Sequence, residues 1–329
     1  MATAPSRPVR VALITFSGRP ALTADDGELR EALVSRGAEV EARPWDVDAD
    51  WESYDSIILR SCWNFHHHPR DFSQWVTGIG ERFPGRLRNS PELARWSVDK
   101  RYLRDLASRG VGTVPTTWVS AHAHGDAPTL AAIIASHDED AGAVVKPAIS
   151  ATAHETWRIE PGDAAAHEER FRKLVASSPG GVMVQPFVPE ILGGEWSQIF
   201  LGGEYSHAVV KRPAAGDFRV QHDFGGSIEV REPSAALVAD AQAALRAAAG
   251  ATGACVEEIL YARVDGVERD GRLILMELEL IEPVLFFAHA PGSAVRMADL
   301  ILSLPRSLRR TATPAHSPSA LSPPGTDAG

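Results

Sequence analysis

The stretch that decides the fold is LYARVDGVERDGRLILMELELIEP, residues 260–283. Two runs rich in valine, isoleucine, leucine and tyrosine flank a short polar segment that ends in Asp270-Gly271, which predicts a β-hairpin. Residues two apart on a strand share a face. Arg263 and Asp265 are therefore expected to point together, and so are Glu277 and Glu279.

Three carboxylates on one side of this hairpin would repel one another unless a cation lies between them. Carboxylate oxygens are the ligands that Mg²⁺ prefers. The alternative is a solvated hairpin face that carries ordinary surface charge, but burial of strands this apolar makes isolated charges expensive. The hairpin therefore predicts magnesium-assisted chemistry with Asp265, Glu277 and Glu279 as the metal ligands.

The length of the turn decides whether these acids meet. A two-residue Asp270-Gly271 turn would pair Val264 with Glu277 and put Asp265 on the opposite face. A three-residue loop over 269–271, with Gly271 left-handed, pairs Arg263 with Glu277 and unites the three carboxylates. We predict the three-residue loop.

Composition limits the classes of protein to which the chain can belong. Its 329 residues are 44% hydrophobic and 23% charged, as in globular proteins of about two domains. The net charge of -10 gives no electrostatic support to a nucleic-acid or anionic-membrane partner. No apolar run approaches the roughly 20 residues that span a bilayer. Cys62 and Cys255 give no disulfide framework, so we expect the cytoplasm.

The N-terminal part alternates strands with helices, which predicts a parallel sheet covered on both faces. Its strands are VRVALITF, AEVEARPW and SIILRSCW, and its helical segments lie near 23–36, 69–80 and 91–109. Ligands bind beyond the carboxyl ends of such strands. This places Ser17, Arg60, Ser61 and Trp63 near a substrate cleft, although each could serve packing or the surface instead.

The rest of the chain reads as shorter strands with a few helices. Strands are predicted in VPTTWV, AGAVVKPA, GVMVQPFV and EWSQIFLGGEYSHAVVK, the last with a hairpin turn at Gly202-Gly203. Helices are predicted over 163–176 and from Ser234 to a stop at Gly250. The final residues, rich in proline, serine and alanine, are predicted to be disordered. The consecutive histidines 66–68 match no standard zinc spacing and predict a surface or loop-edge cluster.

Four further features gain meaning beside the hairpin. Lys146-Pro147 ends an apolar strand, and Lys100 lies at the start of a helix. Residues 185–188 (Gln-Pro-Phe-Val) end another strand, where extended backbone can pair with an adenine edge, and Glu195 could accept hydrogen bonds from ribose. Taken singly, each feature has an ordinary structural explanation: a lysine can be a surface charge, residues 185–188 can be an edge strand, and Glu195 can flank a turn. Their order along the chain is what favours a nucleotide site.

This ordered set resembles the ATP-grasp family of ligases. The matching residues are Lys100, Lys146, Gln185, Phe187, Val188, Glu195, Arg263, Asp265, Glu277 and Glu279. The segments LRSCWNF, KPAISATAHETWRI, GEWSQIF, KRPAAGDFRVQ and MELELIEPVLFF are most like the branch of the cycloserine synthetases, the O-ureido-D-serine cyclo-ligases, which is related to prokaryotic glutathione synthetase.

The chain departs from the family pattern at two places. Glu279 stands where the family commonly has asparagine, which adds a negative charge to the metal site. The loop after Lys146, residues 150–156, lacks the glycines whose backbone N–H groups usually wrap phosphates. The hydroxyls of Ser150, Thr152 and Thr156 are candidates for some of that work.

The resemblance implies an α/β protein with an ATP-grasp fold, in which two α+β subdomains sandwich ATP. The implied divisions are an N-terminal parallel α/β domain (1–98), a small ATP-grasp subdomain (99–188), a C-terminal subdomain with the magnesium site (189–305) and a disordered tail (306–329). The implied cofactors are ATP and Mg²⁺, and the implied partner is a small amino-acid-like substrate. A monomer or homodimer is expected.

The resemblance also implies a reaction: a carboxylate is phosphorylated by ATP, and a nitrogen then attacks the acyl phosphate. Arg263 would stabilise the oxyanion, while Arg219 would join Lys100 and Lys146 in balancing phosphate charge. Arg219 could equally be a surface residue. The reaction could be cyclising or intermolecular, as in glutathione synthetase. A synthetase or kinase with another acceptor and a non-catalytic nucleotide-binding module are the alternatives.

Overall fold

A computed structural model describes residues 7–120, 128–137, 140, 142–214, 219 and 225–303. The predicted tail therefore lies outside the described residues, as does part of the KRPAAGDFRVQ segment. Three sheets organise the described chain, within residues 10–88, 117–186 and 195–279. No helix among these residues is long and apolar enough to cross a membrane.

The first sheet is parallel, with strand order β2-β1-β3-β4, which confirms the predicted parallel α/β unit. Its elements are β1 (Arg10–Thr15), α1 (Ala24–Val34), β2 (Glu39–Pro44), β3 (Ser56–Leu59), α2 (Pro69–Arg82), β4 (Leu87–Arg88), α3 (Pro91–Ser97) and α4 (Tyr102–Ser108), with 3₁₀ helices at Trp51–Ser53 and Trp63–His67. The four residues of β3 are buried, as in a sheet covered on both faces.

The predicted helical segment over 91–109 is divided into α3 and α4, and Lys100 lies in the break. The backbone N–H of Lys100 donates to the carbonyl of Ala148, 2.8 Å away, so it cannot continue a helical hydrogen-bond ladder. The break carries Lys100 towards the second sheet. This interruption was not predicted because its cause is a contact with a distant strand.

The second sheet is antiparallel, in the order β5-β8-β6-β7. Its elements are β5 (Thr117–Val119), α5 (Leu130–Ala135), β6 (Ala143–Pro147), β7 (Trp157–Ile159), α6 (Ala164–Ser177) and β8 (Val182–Pro186). The two helices cover one face, where Phe171 and Ile133 join Val145 and Val184 in a shared core.

The third sheet is antiparallel, in the order β11-β10-β9-β12-β13. Its elements are β9 (Glu195–Leu201), β10 (Glu204–Arg212), β11 (Ser227–Val230), α7 (Ala235–Thr252), β12 (Tyr261–Arg269), β13 (Arg272–Glu279) and α8 (Ser293–Ser303), with 3₁₀ helices at Pro189–Gly193, Val256–Glu258 and Phe287–His289. The hairpin turn at Gly202-Gly203 is confirmed, with φ of 61° and 77°.

The predicted end of α7 at Gly250 was wrong. The helix begins at the expected N-cap, where the hydroxyl of Ser234 accepts from the N–H of Leu237. It continues through Gly250 and ends at Gly253, whose φ of 74° is left-handed. Glycine favours a helix end only where the backbone takes that conformation.

Buried polar side chains join the first sheet to the third. Asn89 donates to the carbonyls of Tyr261 and Leu280, each at 2.8 Å, and its side-chain oxygen accepts from the N–H of Leu260. The hydroxyl of Tyr261 lies 2.6 Å from the carbonyl oxygen of Leu59 and 2.8 Å from that of Ile281. These contacts hold the hairpin of β12 and β13 against the first sheet.

Candidate functional site

The hairpin of β12 and β13 closes with a two-residue turn, so the predicted three-residue loop was wrong. Arg269 pairs with Arg272, and Asp270 and Gly271 have φ of 52° and 72°. Both values are left-handed, as in the tight hairpin turn that Asp-Gly favours. If the pairing continued from this turn without a shift, Asp265 and Glu277 would lie on opposite faces of the hairpin.

A β-bulge restores the shared face. The register shifts between Asp265 and Gly266, so that Asp265 lies opposite Glu277 and Arg263 lies opposite Glu279. An extra residue in one strand moves the pairing by one position. The predicted meeting of Asp265 with Glu277 and Glu279 is therefore present, although a different device produces it.

Arg263 is the main counter-charge of this cluster. Its guanidinium lies 2.9 Å from Oδ2 of Asp265, also contacts Glu279, and donates to the carbonyl of Val284 at 3.1 Å. Burial opposes ionisation of Asp265, but Arg263 and then Lys211 outweigh it and hold the pKa of Asp265 at about 2. Asp265 is thus an anion at neutral pH.

Two nearby acids, Glu279 and Glu282, have raised pKa values, first because they are buried and then because other carboxylates lie close. Burial raises the pKa of Glu279 to about 7. The positive charge of Arg263 lowers this pKa, and the negative charges of Glu277 and Asp265 raise it. Burial and then Glu279 also raise the pKa of Glu282 well above its ordinary value. A site that crowds carboxylates in this way favours the arrival of a cation.

Lys211 and Ser197 complete the cluster and were not predicted from the sequence. The ammonium of Lys211 lies 2.6 Å from Glu195 and 3.4 Å from Asp265, and the hydroxyl of Ser197 donates to Asp265 at 2.5 Å. The sequence offered no signal for Lys211, because the register of the Gly202-Gly203 turn would place Val210 opposite Glu195. A register shift between Tyr205 and His207 places Lys211 there instead.

Two predicted lysines approach the acids from other elements. The Lys100 ammonium lies 2.8 Å from Glu277 and 2.8 Å from the carbonyl oxygen of Ser150. Burial lowers the pKa of Lys146, against the opposing effect of Glu277. Among the described residues, Lys146 has no hydrogen bond or ion pair through its ammonium. Lys146 is thus available to an anion that enters the site.

A cavity of about 670 Å³ is lined by residues of the second and third sheets and of the N-terminal unit, such as Asp25, and joins these groups. Gln185, Phe187 and Val188, the predicted adenine hinge, line it at the end of β8. Its apolar lining includes Val144, Ile191, Met276, Leu278 and Ile281. Apolar walls with charged groups at one end suit a nucleotide, whose base is flat and whose phosphates are anionic.

The loop over 150–156 also lines the cavity, through Ser150, Thr152 and Thr156 among others. Its backbone compensates for the absence of glycine: Thr152, Ala153 and Glu155 have φ of 51°, 54° and 51°. Such values are uncommon for these residue types and cluster at functional loops. The Ser150 hydroxyl donates to the carbonyl of Pro147 at 3.3 Å, so here it supports the loop.

Of the four predicted substrate residues, the structure brings Trp63 to the cavity. Its indole N–H donates to the carbonyl of Glu282 at 3.1 Å. Arg60 and Ser61 are buried and bond to Asp26, which fits the packing alternative. Ser17 bonds to Asp46 at the surface. Arg219, predicted as a phosphate partner, lines the cavity.

The predicted loop-edge position of the histidines is observed at the end of the 3₁₀ helix Trp63–His67. His66 and His67 approach His154 of the loop over 150–156, whereas His68 lies apart, 3.9 Å from Asp71. His154 was not predicted to join them, since it is distant along the chain.

The comparisons with known proteins support an ATP-dependent ligase of the ATP-grasp fold, which forms carbon–nitrogen bonds. The chain is similar to the cycloserine biosynthesis protein DcsG of Streptomyces lavendulae, with 29% identity over 88% of this chain and 97% of that protein. The crystal structure of D-cycloserine synthetase DcsG superposes with a TM-score of 0.78, covering 89% of this chain and 99% of that one at 29% identity. The protein-family model for the N-terminal domain of D-cycloserine synthetase DcsG matches residues 11–89 of this chain.

Two other proteins share less. The glutathione synthetase of Synechococcus elongatus is 33% identical over 44% of this chain and 41% of its own length. D-alanine–D-alanine ligase from Bacillus anthracis, in complex with ATP, has a TM-score of 0.62 at 16% identity and covers 90% of this chain and 96% of that one. The latter likeness confirms the fold.

Proposed function

We propose that this chain uses ATP and Mg²⁺ to close a carbon–nitrogen bond within one small amino-acid-like molecule of the O-ureido-D-serine kind, in the biosynthesis of a cycloserine-type antibiotic. One observation carries the proposal: the acids of the hairpin and the two lysines meet at one cavity, which the predicted adenine hinge also lines. The similarity to D-cycloserine synthetase over nearly the whole chain supports the cyclising reaction.

Asp265, Glu277 and Glu279 would hold Mg²⁺. This donor set fits the ion, since all three side chains offer hard oxygen ligands from one face of the hairpin. When bound, Mg²⁺ would neutralise charge on the phosphates of ATP. Lys100, Lys146 and Arg219 would balance the remaining phosphate charge, and residues 185–188 with Glu195 would hold adenine and ribose.

The reaction would proceed in two displacements. An oxygen of the substrate carboxylate attacks the γ-phosphorus of ATP, and the bond to the ADP oxygen breaks with its electron pair going to ADP. A nitrogen of the same molecule then attacks the acyl carbon. The bond to phosphate breaks, phosphate leaves with the electron pair, and the nitrogen's proton passes to solvent. Arg263, buried beside the acids, would stabilise the oxyanion formed on attack.

The experiment is an ADP-release assay with O-ureido-D-serine, with and without Mg²⁺, coupled to mass spectrometry of the product. We expect ADP, phosphate and a cyclised product together. An amide between two added amino acids would support the intermolecular, glutathione-synthetase type of ligase. A hydroxylamine-trappable acyl phosphate with no ring would support a kinase. Nucleotide binding without turnover on any of these would leave a binding module.

Asp265→Asn is the matched variant for this assay. It preserves the shape of the side chain and removes the charge that Arg263 and Lys211 hold in place. We expect ADP release to fall by at least about a hundredfold, comparable with the loss of one strong transition-state contact. A thermal melt must show that the variant is folded.

We also propose that the protein is a monomer or a homodimer. A cytoplasmic setting is proposed as well, in keeping with the free thiols of Cys62 and Cys255.

A further inference from the structure

His66, His67 and His154 gather outside the cavity. Each offers a ring nitrogen, and these nitrogens all lie within 4.8 Å of one another. The ring of His154 is 5.2 Å from that of His66 and 5.1 Å from that of His67, measured between centroids. None of the three lines the cavity, although their chain neighbours Phe65 and Ala153 do, so the cluster adjoins the carboxylate site without belonging to it.

The ring of His66 is held by its backbone. Its Nδ1 lies 2.7 Å from the carbonyl oxygen of Trp63. A carbonyl can only accept, so Nδ1 carries the proton and the lone pair is on Nε2. Histidines that bind metals commonly donate their other ring N–H to a carbonyl or carboxylate in this way, which fixes the tautomer and the orientation of the ring.

The chemistry of the cluster favours a transition metal over Mg²⁺. All the donors are imidazoles, which suit zinc and its neighbours, whereas Mg²⁺ prefers the carboxylates of the hairpin. An imidazole binds a metal in its neutral form, through the ring nitrogen that carries no proton.

We propose that His66, His67 and His154 bind one Zn²⁺ through three ring nitrogens and leave a fourth position to water. The bound metal would join two parts of the molecule. His66 and His67 belong to the N-terminal domain, and His154 belongs to the loop over 150–156, which lines the cavity. Zinc would thus fasten one wall of the cavity to the N-terminal domain.

The first test measures metal binding by the full-length protein after treatment with a chelator. Co²⁺ is titrated in the presence of excess Mg²⁺, which keeps the hairpin acids occupied, and the visible absorption of Co²⁺ reports coordination geometry. We expect one equivalent with intense tetrahedral bands that Zn²⁺ displaces. His154→Gln should lower the affinity by at least about tenfold, the smallest loss expected even for an outer partner of a metal.

His68→Gln is the matched control, since His68 adjoins the cluster but its side chain is 58% exposed and lies near Asp71. We expect its affinity to equal that of the unaltered protein. His67→Gln provides a second variant on the other side of the cluster, should His154→Gln disturb the loop. Absence of tetrahedral Co²⁺ bands, or equal binding by His154→Gln, His67→Gln and His68→Gln, would overturn the site.

The second test concerns the loop. Hydrogen–deuterium exchange of peptides covering 150–156 should slow on addition of Zn²⁺ to the unaltered protein and to His68→Gln. In His154→Gln, Zn²⁺ should leave exchange unchanged. Equal exchange in the unaltered protein with and without Zn²⁺ would overturn the proposed fastening.

Discussion

The Lys211 ammonium lies 2.6 Å from the Glu195 carboxylate, and the two residues face each other across β9 and β10. Their side chains are 9% and 10% exposed. The same ammonium also reaches Asp265 at 3.4 Å. Lys211 therefore shares its charge between a residue predicted to meet ribose and a residue predicted to meet metal.

Replacement of Lys211 by methionine should destabilise the protein by about 3–5 kcal/mol, since it leaves buried carboxylates without their partner. Adding Glu195→Gln removes one of those charges and should recover part of the loss. Urea denaturation of both single variants and the double variant, at neutral pH and without metal, gives the coupling energy. Strictly additive losses would contradict a buried pair.

Glu195 should also decide how strongly the enzyme prefers a ribose with both hydroxyls. A hydrogen bond to a charged group contributes about 1.5–3 kcal/mol, so KM for 2′-deoxy-ATP should exceed KM for ATP by about tenfold or more. In Glu195→Gln the two values should approach each other. The comparison is between ratios within each protein, which cancels general damage to the site. An unchanged ratio would remove Glu195 from ribose binding.

Gly266→Ala should disturb the bulge that brings the acids together. A Cβ atom there would lie 2.5 Å from the carbonyl oxygen of Ile274, so backbone must move beside Asp265. Overpacking of this kind costs about 1–3 kcal/mol. We expect lower stability in thermal melts together with weaker Mg²⁺ binding by calorimetry.

The control for that variant is Gly271→Asn in the same hairpin. Gly271 has φ of 72° with open space around it, and asparagine tolerates the left-handed region better than most residues. Stability should change little and Mg²⁺ affinity should stay the same. Equal Mg²⁺ losses in both variants would mean that the bulge does not set the geometry of the acids.

Glu279 should make Mg²⁺ binding depend on pH. Its pKa is raised to about 7, so below that pH a proton competes with the ion. The affinity should rise by at most about tenfold per pH unit up to pH 7 and then level off. Calorimetric titrations across this range should show the slope in the unaltered protein and a flatter profile in Glu279→Asn. Equal slopes in the two proteins would contradict the assignment of Glu279 as a ligand of Mg²⁺.

The raised pKa of Glu279 has the opposite effect on the stability of the metal-free protein, which should fall as the pH rises. A carboxyl whose folded pKa is raised contributes stability below its unfolded pKa, about 4.3, and loses it as pH rises through about 7. Melting temperatures of the metal-free protein should therefore fall over that window. Glu279→Asn should remove part of the fall.

The hairpin shows what sequence can and cannot supply. Alternation predicted that Arg263 and Asp265 share a face, and that rule is local. The three-residue loop was inferred from the need to unite the acids, but the Asp-Gly turn kept its preferred length and the bulge made the adjustment. A bulge depends on how two strands pack, which a single strand's pattern does not contain.

Residues at strand ends show a second limit of prediction from sequence. Topology predicted that residues after β3 lie near the site, and Trp63 does. Arg60 instead turns inward to Asp26, 2.7 Å away. The position of a residue at a sheet edge is set by order along the chain, whereas the direction of its side chain is set by partners from other elements. The same reason hid Lys211 and His154.

The buried contacts of Asn89 and Tyr261 have a consequence for motion. They lock the N-terminal sheet to the sheet that carries the acids, and Arg60 adds a hydrogen bond to the carbonyl of Pro283 at 2.9 Å. These two sheets would travel together as one rigid frame. We therefore expect the sheet of β5–β8, which carries Lys146 and the predicted adenine hinge, to move relative to this frame when a nucleotide enters or leaves, while the predicted metal ligands stay in place.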